Sequence, residues 1–199
     1  MSVKILGGIL KGISITVPES DKLRPTSVLL KRRIFDCYQN LQNTFFIDLC
    51  CGSGAIGIEA WSRGAESVFL VEKDRKSFAI TEENIFRIRK SVPIEMEARE
   101  IKAYNEEVAF FLKSAKWKNI LVNSKTDKYV LFLDPPYART DIYQNVFQIV
   151  KEQKLIHKKQ LQLWIESDVK EGISPEKIIE SVGEIKKIFF QGSKFVAIT

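Results

Sequence analysis

From residue 45 onward, apolar segments of strand length alternate with segments of helical spacing, and this alternation constrains the fold more than any other feature. The predicted strands are TFFIDL, SVFLVE, IEMEARE, YVLFLD, LQLWIES, EIKKIFF and KFVAIT. Strands that alternate with helices form a parallel sheet covered by helices on both faces. Only QGS separates the last two strands, so these two must run antiparallel. The sequence therefore predicts a seven-stranded, mostly parallel α/β sheet with a C-terminal antiparallel hairpin.

The segments between these strands predict the helices and one long loop. Helical patterns occur in AIGIEAWSRG, ITEENIFRIRK, AYNEEVAFFLKSA and DIYQNVFQIVKEQ, and a short helix follows Pro175, whereas WKNILVNSKTDK is interpreted as a lysine-bearing loop. IEMEARE alternates apolar and polar residues, as a half-exposed edge strand does, while VLFLD is apolar up to its terminal acid, as a central parallel strand is. We expect VLFLD to lie beside FIDL, as in doubly wound sheets.

Residues 1–44 precede the sheet and form a predicted N-terminal extension, which leaves 45–199 as the main domain. ILGGILKGISITV has the glycines and β-branched residues of a short hairpin. Apolar residues at helical spacing predict a helix over about 27–40 with Thr26 or Ser27 as its N-cap, and Lys31, Arg32 and Arg33 project largely away from its apolar stripe. Residues 1–45 carry seven Lys and Arg against three Asp and Glu. This excess fits a polyanion partner, and it fits a solubilising surface equally well.

Composition limits the class of protein. The chain has 199 residues, of which 45% are apolar and 28% charged, enough for one sizeable core. It lacks a run of about 18 apolar residues, so we expect a cytoplasmic protein without a membrane segment. The cysteines are Cys37, Cys50 and Cys51, and the one histidine is His157. These residues have neither metal-ligand nor disulfide-framework spacing, so we expect no metal site.

The loop after the first predicted strand carries a nucleotide-type glycine motif. In FIDLCCGSGAIGIEA, Gly52, Gly54 and Gly57 satisfy G-x-G-x-x-G between a strand and a helix. Asp48 ends that strand, where a negative charge would repel a pyrophosphate but attract a cationic cofactor such as S-adenosylmethionine. Glu72 ends the next strand, and its two oxygens suit the paired hydroxyls of a ribose. The alternative is that Asp48 merely caps the following turn.

The segment LFLDPPY predicts a second site at the neighbouring strand end. An exocyclic amine of a base is a poor nucleophile because its lone pair is delocalised, and hydrogen-bond acceptors at its N–H groups favour attack. Asp134 and the carbonyl of Pro135 can supply two acceptors, Pro135 and Pro136 stiffen the turn, and Tyr137 can stack on the base. Taken alone, D-P-P-Y is also an ordinary strand-to-loop turn. A thiolate nucleophile at Cys50 or Cys51 is the weaker alternative, because both lie inside the predicted cofactor loop.

These motifs resemble a known family. D-P-P-Y is similar to the [DN]-P-P-[YFW] signature of amino methyltransferases, and GGILKG, LRPTS, DLCCGSGAIGIEAWSRGA and LFLDPPYA occur in the order of the bacterial RsmD-type 16S ribosomal RNA guanine-N2 methyltransferases. The resemblance implies a Rossmann-like class I methyltransferase fold, S-adenosylmethionine as donor, and guanine N2 of 16S rRNA, free or in an assembling small subunit, as acceptor. It also implies that the basic N-terminal segment contacts RNA. We expect a monomer.

The motifs and the resemblance together define a set of candidate site residues. The catalytic set is Asp134, Pro135, Pro136 and Tyr137; the cofactor set is Asp48, Cys50, Gly52, Ser53, Gly54, Glu72, Lys73 and Ala103; the RNA set is Arg24, Pro25, Thr26, Arg32 and Arg33. This chain has Lys102 before Ala103 where the family tends to place Asp or Asn. The alternatives are an adenine-N6 or cytosine-N4 methyltransferase, an RNA-binding module with a non-catalytic cofactor pocket, and an NAD-dependent dehydrogenase.

Overall fold

The computed structural model describes residues 1–18, 25–123, 126, 128–153 and 160–199, and the side chains of all of these except residues 25–28, 95, 97 and 123. His157 lies outside the described residues. The strands are β1 (Ser2–Lys4), β2 (Ser14–Thr16), β3 (Thr44–Asp48), β4 (Ser67–Val71), β5 (Glu100–Tyr104), β6 (Lys128–Leu133), β7 (Gln160–Asp168), β8 (Lys187–Gln191) and β9 (Lys194–Ile198). The helices are α1 (Pro25–Cys37), α2 (Ala55–Ser62), α3 (Arg75–Arg89), α4 (Ile94–Glu97), α5 (Val108–Lys113), α6 (Ala115–Asn123), α7 (Thr140–Glu152) and α8 (Pro175–Val182).

The main sheet has seven strands in the order β5-β4-β3-β6-β7-β9-β8. Strands β5, β4, β3, β6 and β7 are parallel to one another, and β9 is antiparallel to both β7 and β8. The predicted architecture is therefore confirmed, including the C-terminal hairpin. Strand β6 also lies beside β3, with Asp48 opposite Phe132, as the doubly wound order requires. The carboxyl ends of β3 and β6 consequently meet at one edge of the sheet.

Alternate strand residues pack into two separate hydrophobic cores, one on each face of the sheet. On one face, Phe46, Leu70 and Trp164 pack with residues of the hairpin and of α1, α2 and α3. On the other face, Ile47 and Leu163 pack with residues of α5, α6, α7 and α8. This side-chain alternation explains why the central strands are apolar on both faces. In the described part of the chain, no helix has both the length and the apolar character needed to cross a membrane.

The N-terminal extension is attached to the main domain through a buried ion pair in α2. Glu59 accepts a 2.7 Å hydrogen bond from the backbone N–H of Leu6, and its other oxygen accepts a 2.7 Å bond from Arg63 Nε. Arg63 in turn donates to the carbonyl of Phe35 in α1 at 3.0 Å. The pair thereby satisfies backbone groups of both the hairpin and the helix. The extension and the sheet share one core, because Ile5 and Phe35 belong to the same cluster as Phe46.

The predicted strand IEMEARE is wrong. Ile94–Glu97 forms a single helical turn that begins after Pro93, and the edge strand is instead Glu100–Tyr104, which pairs with β4. The alternating pattern misled the prediction because the side chain of Ile94 is 81% exposed, whereas Met96 is buried in the core. Proline fixes the backbone and is common at helix starts, so Pro93 was the better local signal.

Three further segments differ from the prediction. Helix α1 begins at Pro25, so Thr26 and Ser27 lie in its first turn and neither is the N-cap. WKNILVN is helical within α6 rather than a loop, because Trp117 is fully buried between α5 and α7. Ala103 and Tyr104, predicted at a helix start, end strand β5. In each case a tertiary contact or a proline outweighs the local pattern.

Two Glu–Arg pairs in the chain allow a matched test of the buried anchor. We expect Glu59→Ala to lower the free energy of unfolding by about 3–5 kcal/mol, because it leaves Arg63 buried without its partner. The control is Glu83→Ala in α3, where the Arg87 pair has the same 2.7 Å separation and i,i+4 spacing but side chains that are 57% and 51% exposed. This change should cost about 0.5 kcal/mol or less. Urea denaturation of both variants measures the difference, and equal losses would contradict the assigned role of Glu59.

Candidate active site

A cleft of roughly 1250 Å³ lies at the carboxyl ends of the parallel strands. Four acids from four adjacent strands line it: Glu72 after β4, Asp48 at the end of β3, Asp134 after β6 and Glu166 near the end of β7. The N-terminal hairpin and Lys31 of α1 contribute to its wall. The two sites predicted at separate strand ends therefore open into one cleft.

The glycine loop is held by backbone hydrogen bonds that bring it against β4. Gly52 and Gly54 have φ angles of 55° and 79°, in the left-handed region that favours glycine. The N–H of Gly52 donates to Glu72 Oε2 at 2.8 Å. Gly57 serves another purpose, because a Cβ there would lie 2.2 Å from a methyl carbon of Leu70. The first two glycines thus shape the loop, and the third allows α2 to pack closely on the sheet.

Asp48 is both a structural and a candidate binding residue. Its side chain is 1% exposed, and Oδ2 accepts a 3.2 Å hydrogen bond from the N–H of Gly57 in the first turn of α2. Asp48 therefore does cap the turn that follows its strand, as the alternative interpretation states. However, Oδ1 is buried without a hydrogen-bond partner among the described residues. Burial raises the pKa of Asp48 to about 7, with further contributions from the negative charges of Asp134 and Glu72 and an opposing one from Lys31. A cationic group beside Oδ1 would offset this cost.

Glu72 is fixed in place by two backbone donors. Its Oε2 accepts from Gly52, and its Oε1 accepts a 2.7 Å bond from the N–H of Asp74. Each carboxylate oxygen can accept a second hydrogen bond. The half-buried carboxylate therefore remains available to the hydroxyl groups of a ligand in the cleft.

The segment Asp134–Pro135–Pro136–Tyr137 lines the cleft directly after β6. Asp134 is half-buried, Pro135 is buried and Pro136 is exposed. The hydroxyl of Tyr137 donates to Glu166 Oε1 at 3.3 Å, and Lys194 Nζ lies 5.3 Å from the Tyr137 ring centroid. Burial and the nearby negative charge of Glu166 raise the pKa of Tyr137 well above its usual value, so its hydroxyl remains a donor.

Cys50 and Cys51 lie where a nucleophile could reach a ligand, but their surroundings suppress thiolate formation. Burial raises the pKa of both thiols well above the usual value, and the neighbouring carboxylates add to the shift. This environment opposes the thiolate alternative. Ser53 is buried in the same loop, and its carbonyl accepts a 2.9 Å hydrogen bond from Asn84 of α3. These three residues line the cleft as part of the glycine loop.

The structure gives the other predicted cofactor residues different positions. Lys73 lines the cleft and is exposed, with Nζ 3.5 Å from Glu107 Oε2. Ala103 lies inside β5 opposite Leu70 and packs against the core, and it is not among the residues that line the cleft. The prediction misplaced this strand, so it also misplaced the strand end. The lining residues that follow β5 are Glu107, Val108 and Ala109.

The predicted RNA-contacting residues lie on or before α1. Arg24 is outside the described residues, and Pro25 and Thr26 form the first turn of the helix. Arg32 and Arg33 are exposed but do not line the cleft, and Arg33 Nη1 donates to the carbonyl of Phe190 in β8. The basic residue of α1 that lines the cleft is instead Lys31, which is half-buried although the helical pattern predicts that it projects away from the apolar stripe.

Glu166, Lys31 and Lys194 also line the cleft, although none of them is among the residues predicted from the sequence. A signal for Glu166 was present, because LQLWIES places an acid after an apolar run in the strand that follows VLFLD. Both strands are parallel neighbours, with Leu133 opposite Ile165, so their following residues Asp134 and Glu166 reach the same edge. Lys194 follows a tight turn in the antiparallel hairpin, and its proximity depends on the pairing of β9 with β7.

Comparison with known proteins identifies relatives along almost the whole chain. The family model described as conserved hypothetical protein 95 matches residues 3–193. Ribosomal RNA small subunit methyltransferase D of Buchnera aphidicola subsp. Acyrthosiphon pisum is 28% identical over 172 residues, covering 86% of this chain and 81% of that protein. The protein of the same name from Escherichia coli K12 is 26% identical over 172 residues, covering 86% and 77%.

A solved structure shows the same fold. The Escherichia coli protein described as putative methyltransferase yhhF has a TM-score of 0.72 to this chain at 19% identity, covering 100% of this chain and 97% of that one. The predicted Rossmann-like methyltransferase fold is thereby confirmed.

The raised pKa of Asp48 predicts a pH-dependent stability difference. Between about pH 4 and pH 7 the unfolded chain releases the Asp48 proton while the folded chain retains it, so this group lowers stability as pH rises through that window. Asp48→Asn keeps an acceptor for Gly57 without the charge. Without ligand, we expect the variant to gain about 1 kcal/mol or more at pH 8, roughly 2–4 °C in Tm, and little at pH 4.5.

The control for this experiment is Asp36→Asn, which removes one negative charge from the exposed surface of α1. Thermal unfolding of the wild type and both variants at pH 4.5 and pH 8 provides the comparison. A Tm difference for Asp48→Asn that does not change between these pH values would contradict the assigned cost of the buried carboxylate.

Proposed function

Because the chain belongs to the conserved hypothetical protein 95 family, whose model it matches over residues 3–193, we propose that it is an S-adenosylmethionine-dependent rRNA methyltransferase. The acceptor we propose is the exocyclic N2 of a guanine in 16S rRNA. The observation that carries the proposal is the adjacency of β3 and β6, which brings Asp48 and Asp134 into one cleft. A cationic methyl donor beside the first acid would then lie next to an amine held by the second.

The residues around Asp48 fit this cofactor. S-adenosylmethionine would supply a methyl group activated by a positively charged sulfur. Asp48 has a buried oxygen without a partner, which favours a cation, and its negative charge disfavours the pyrophosphate of a dinucleotide. The left-handed backbone at Gly52 and Gly54 shapes the loop, and Gly52 itself lines the cleft. We assign the ribose hydroxyls to Glu72, whose carboxylate is already oriented by two backbone donors.

The adenine end of the cofactor is assigned to the residues that follow β5. Val108 and Ala109 line the cleft with apolar surface, and Glu107 lies beside them. This assignment replaces Ala103, which is inside the strand. Lys73 stays near this end through its contact with Glu107.

Asp134, Pro135 and Tyr137 are assigned to the target base. A carboxylate and a carbonyl that accept from the amino group favour the tetrahedral nitrogen whose lone pair can attack in line. Attack on the methyl carbon would break its bond to sulfur and release S-adenosylhomocysteine, and Asp134 would receive the proton that the nitrogen then loses or pass it to water. The Tyr137 ring can stack on the base, a contact worth about 1–3 kcal/mol. A base that is paired in an RNA helix has to be extruded to reach this position.

Basic side chains that line the cleft beside its acids fit the phosphates of an RNA substrate. Lys4, Lys31, Arg75, Lys76, Arg139 and Lys194 line it. Together with the exposed Arg32 and Arg33, these residues are proposed to contact phosphates, which position the RNA without reading its sequence. The formal net charge of +6 is consistent with this partner.

Ligand-induced stabilisation tests the cofactor assignment. We expect S-adenosylhomocysteine at about 100 times its Kd to stabilise the purified chain by roughly 2.7 kcal/mol. NADH at the same concentration should leave the Tm unchanged, because Asp48 disfavours a pyrophosphate. Thermal unfolding with each ligand measures both effects. Stabilisation by NADH alone would support the dehydrogenase alternative and overturn the proposal.

Asp134→Ala tests the catalytic assignment. We expect kcat for RNA methylation to fall by about 10²–10³-fold, because one acceptor for the reacting amine is lost. The Tm shift caused by S-adenosylhomocysteine should remain, since Asp134 is not assigned to the cofactor. The control is Glu180→Ala, an exposed acid on α8, which should keep wild-type activity. Equal loss of cofactor binding and of transfer in Asp134→Ala would contradict its assigned role.

Mass spectrometry of rRNA nucleosides tests the acceptor. Cells that lack the gene should lose one N2-methylguanosine from small-subunit rRNA, and the gene restored in them should return it. If N6-methyladenosine or N4-methylcytidine is lost and returned instead, the acceptor is adenine N6 or cytosine N4. Normal methylation in cells that carry only the Asp134→Ala variant would favour the non-catalytic RNA-binding alternative.

A further inference from the structure

Glu166 is a buried acid in the cleft that the assignments above leave unused. Its side chain is 1% exposed and lines the cleft at the end of β7. The Tyr137 hydroxyl donates to Oε1, while Oε2 has no hydrogen-bond partner among the described residues. A buried polar atom without a partner is uncommon and costly, and it marks a candidate ligand contact.

The charged and titratable groups around Glu166 come from four elements. Asp134 and Tyr137 follow β6, Tyr143 belongs to α7, Lys31 to α1 and Lys194 to β9. Burial and the negative charge of Asp134 raise the pKa of Glu166, while Lys31 and Lys194 act in the opposite direction. Neither lysine forms an ion pair with Glu166 in the described part of the structure. The carboxyl is therefore accompanied by positive charge but is not neutralised by it.

The neighbouring acids Asp134 and Glu166 provide acceptors side by side. The edge of guanine carries two adjacent donors, the N2 amino group and the ring N1–H. Adenine and cytosine instead carry an acceptor next to the amino group that could be methylated. Two adjacent carboxyl groups can accept from both donors of guanine. With adenine or cytosine, one of the two carboxyl groups would instead face the acceptor nitrogen of the ring.

We propose that Glu166 is a specificity-determining residue that accepts a hydrogen bond from N1–H of the target base while Asp134 accepts from N2, which selects guanine. This inference rests on the proposed function and adds the residue that reads base identity. The Tyr137 hydroxyl holds one oxygen of Glu166 and leaves the other for the base. This hydrogen bond links Tyr137, whose ring stacks on the base, to Glu166, which contacts the edge of the base.

Replacement of the target guanine by 2-aminopurine tests the N1 contact. This base keeps the 2-amino group but has an acceptor at N1. The nucleotide to replace is the one located by mass spectrometry of the methylated rRNA. With the wild type at pH 9, where more of Glu166 is ionised, we expect kcat/KM to be about 10–100-fold higher for guanine than for 2-aminopurine, the range for a hydrogen bond to a charged group. In Glu166→Gln the side-chain NH₂ can donate to N1 of 2-aminopurine, so the guanine preference should fall by at least about tenfold.

The control variant is Glu180→Gln, the same substitution at an exposed position on α8, which should keep the wild-type preference. Stabilisation by S-adenosylhomocysteine should be equal in all three proteins, which checks that the cofactor site is intact. If Glu166→Gln loses activity equally on both bases, the residue has only a structural role and the proposal is overturned.

A pH series on the wild type gives a second test that needs no variant. A rise from pH 6.5 to pH 9 increases the ionised fraction of Glu166: the neutral acid can donate its proton to N1 of 2-aminopurine, and the ionised carboxylate cannot. The preference for guanine over 2-aminopurine should therefore rise as pH passes through this range. A preference that is constant from pH 6.5 to pH 9 would overturn the proposal even if Glu166→Gln failed to fold.

The outcomes separate this inference from the proposed function. A wild type that methylates no guanine contradicts the proposed function itself. A wild type that methylates guanine, with a preference that neither the substitution nor pH changes, contradicts only the assignment of Glu166.

Discussion

The side-by-side pairing of parallel strands is the constraint on which the site depends. Four neighbouring strands end at one edge of the sheet, and each delivers a carboxyl group to the same cleft: Glu72, Asp48, Asp134 and Glu166 in spatial order. Parallel pairing fixes the order of these groups along the sheet edge and their positions along the strand direction, whichever rotamers the side chains adopt. The chemistry of the cleft therefore follows from the sheet topology together with the residue at each strand end.

Acids that lie close together disfavour one another's ionised forms. The negative charge of Asp134 raises the pKa of both Asp48 and Glu166, and burial is the largest cause for each. Glu72 is half-buried and accepts from two backbone N–H groups. Among the described residues that line the cleft, the buried acceptors without a hydrogen-bond partner are Asp48 Oδ1 and Glu166 Oε2. A cationic donor beside the first and a base edge rich in N–H groups beside the second would each relieve a different part of the same unfavourable charge.

The sequence predicted the sheet well because its signals were local and consistent. Apolar runs that end in Asp48 and Asp134, the glycine loop between β3 and α2, and QGS in the final hairpin each have one simple structural solution. The edge strand failed because the alternation in IEMEARE is also compatible with a helical turn whose one buried residue is Met96. Ala103 was then assigned to a strand end that it does not occupy.

The lining residues that were not predicted from the sequence reach the cleft through tertiary contacts. Glu166 and Lys194 reach the cleft through the pairing of β7 with β6 and β9, which no local pattern encodes. Lys31 lies on a helix whose predicted face was derived from periodicity alone, and its half-buried position depends on how α1 docks. Periodicity identifies which residues share a face of a helix, but it does not identify what lies opposite that face.

The position of α1 connects the stability of the protein with the electrostatics of the cleft. Arg63 donates to the carbonyl of Phe35, and its guanidinium carbon lies 5.0 Å from the Phe35 ring centroid, so the buried Glu59–Arg63 pair holds the helix that carries Lys31. Lys31 lowers the pKa of Asp48 and of Glu166 alike. One lysine from the N-terminal extension thus acts on both the proposed methyl-donor site and the proposed base site. The extension is accordingly part of the site, because without it Asp48 would lose the positive charge that favours its ionised form and Glu166 would retain only that of Lys194.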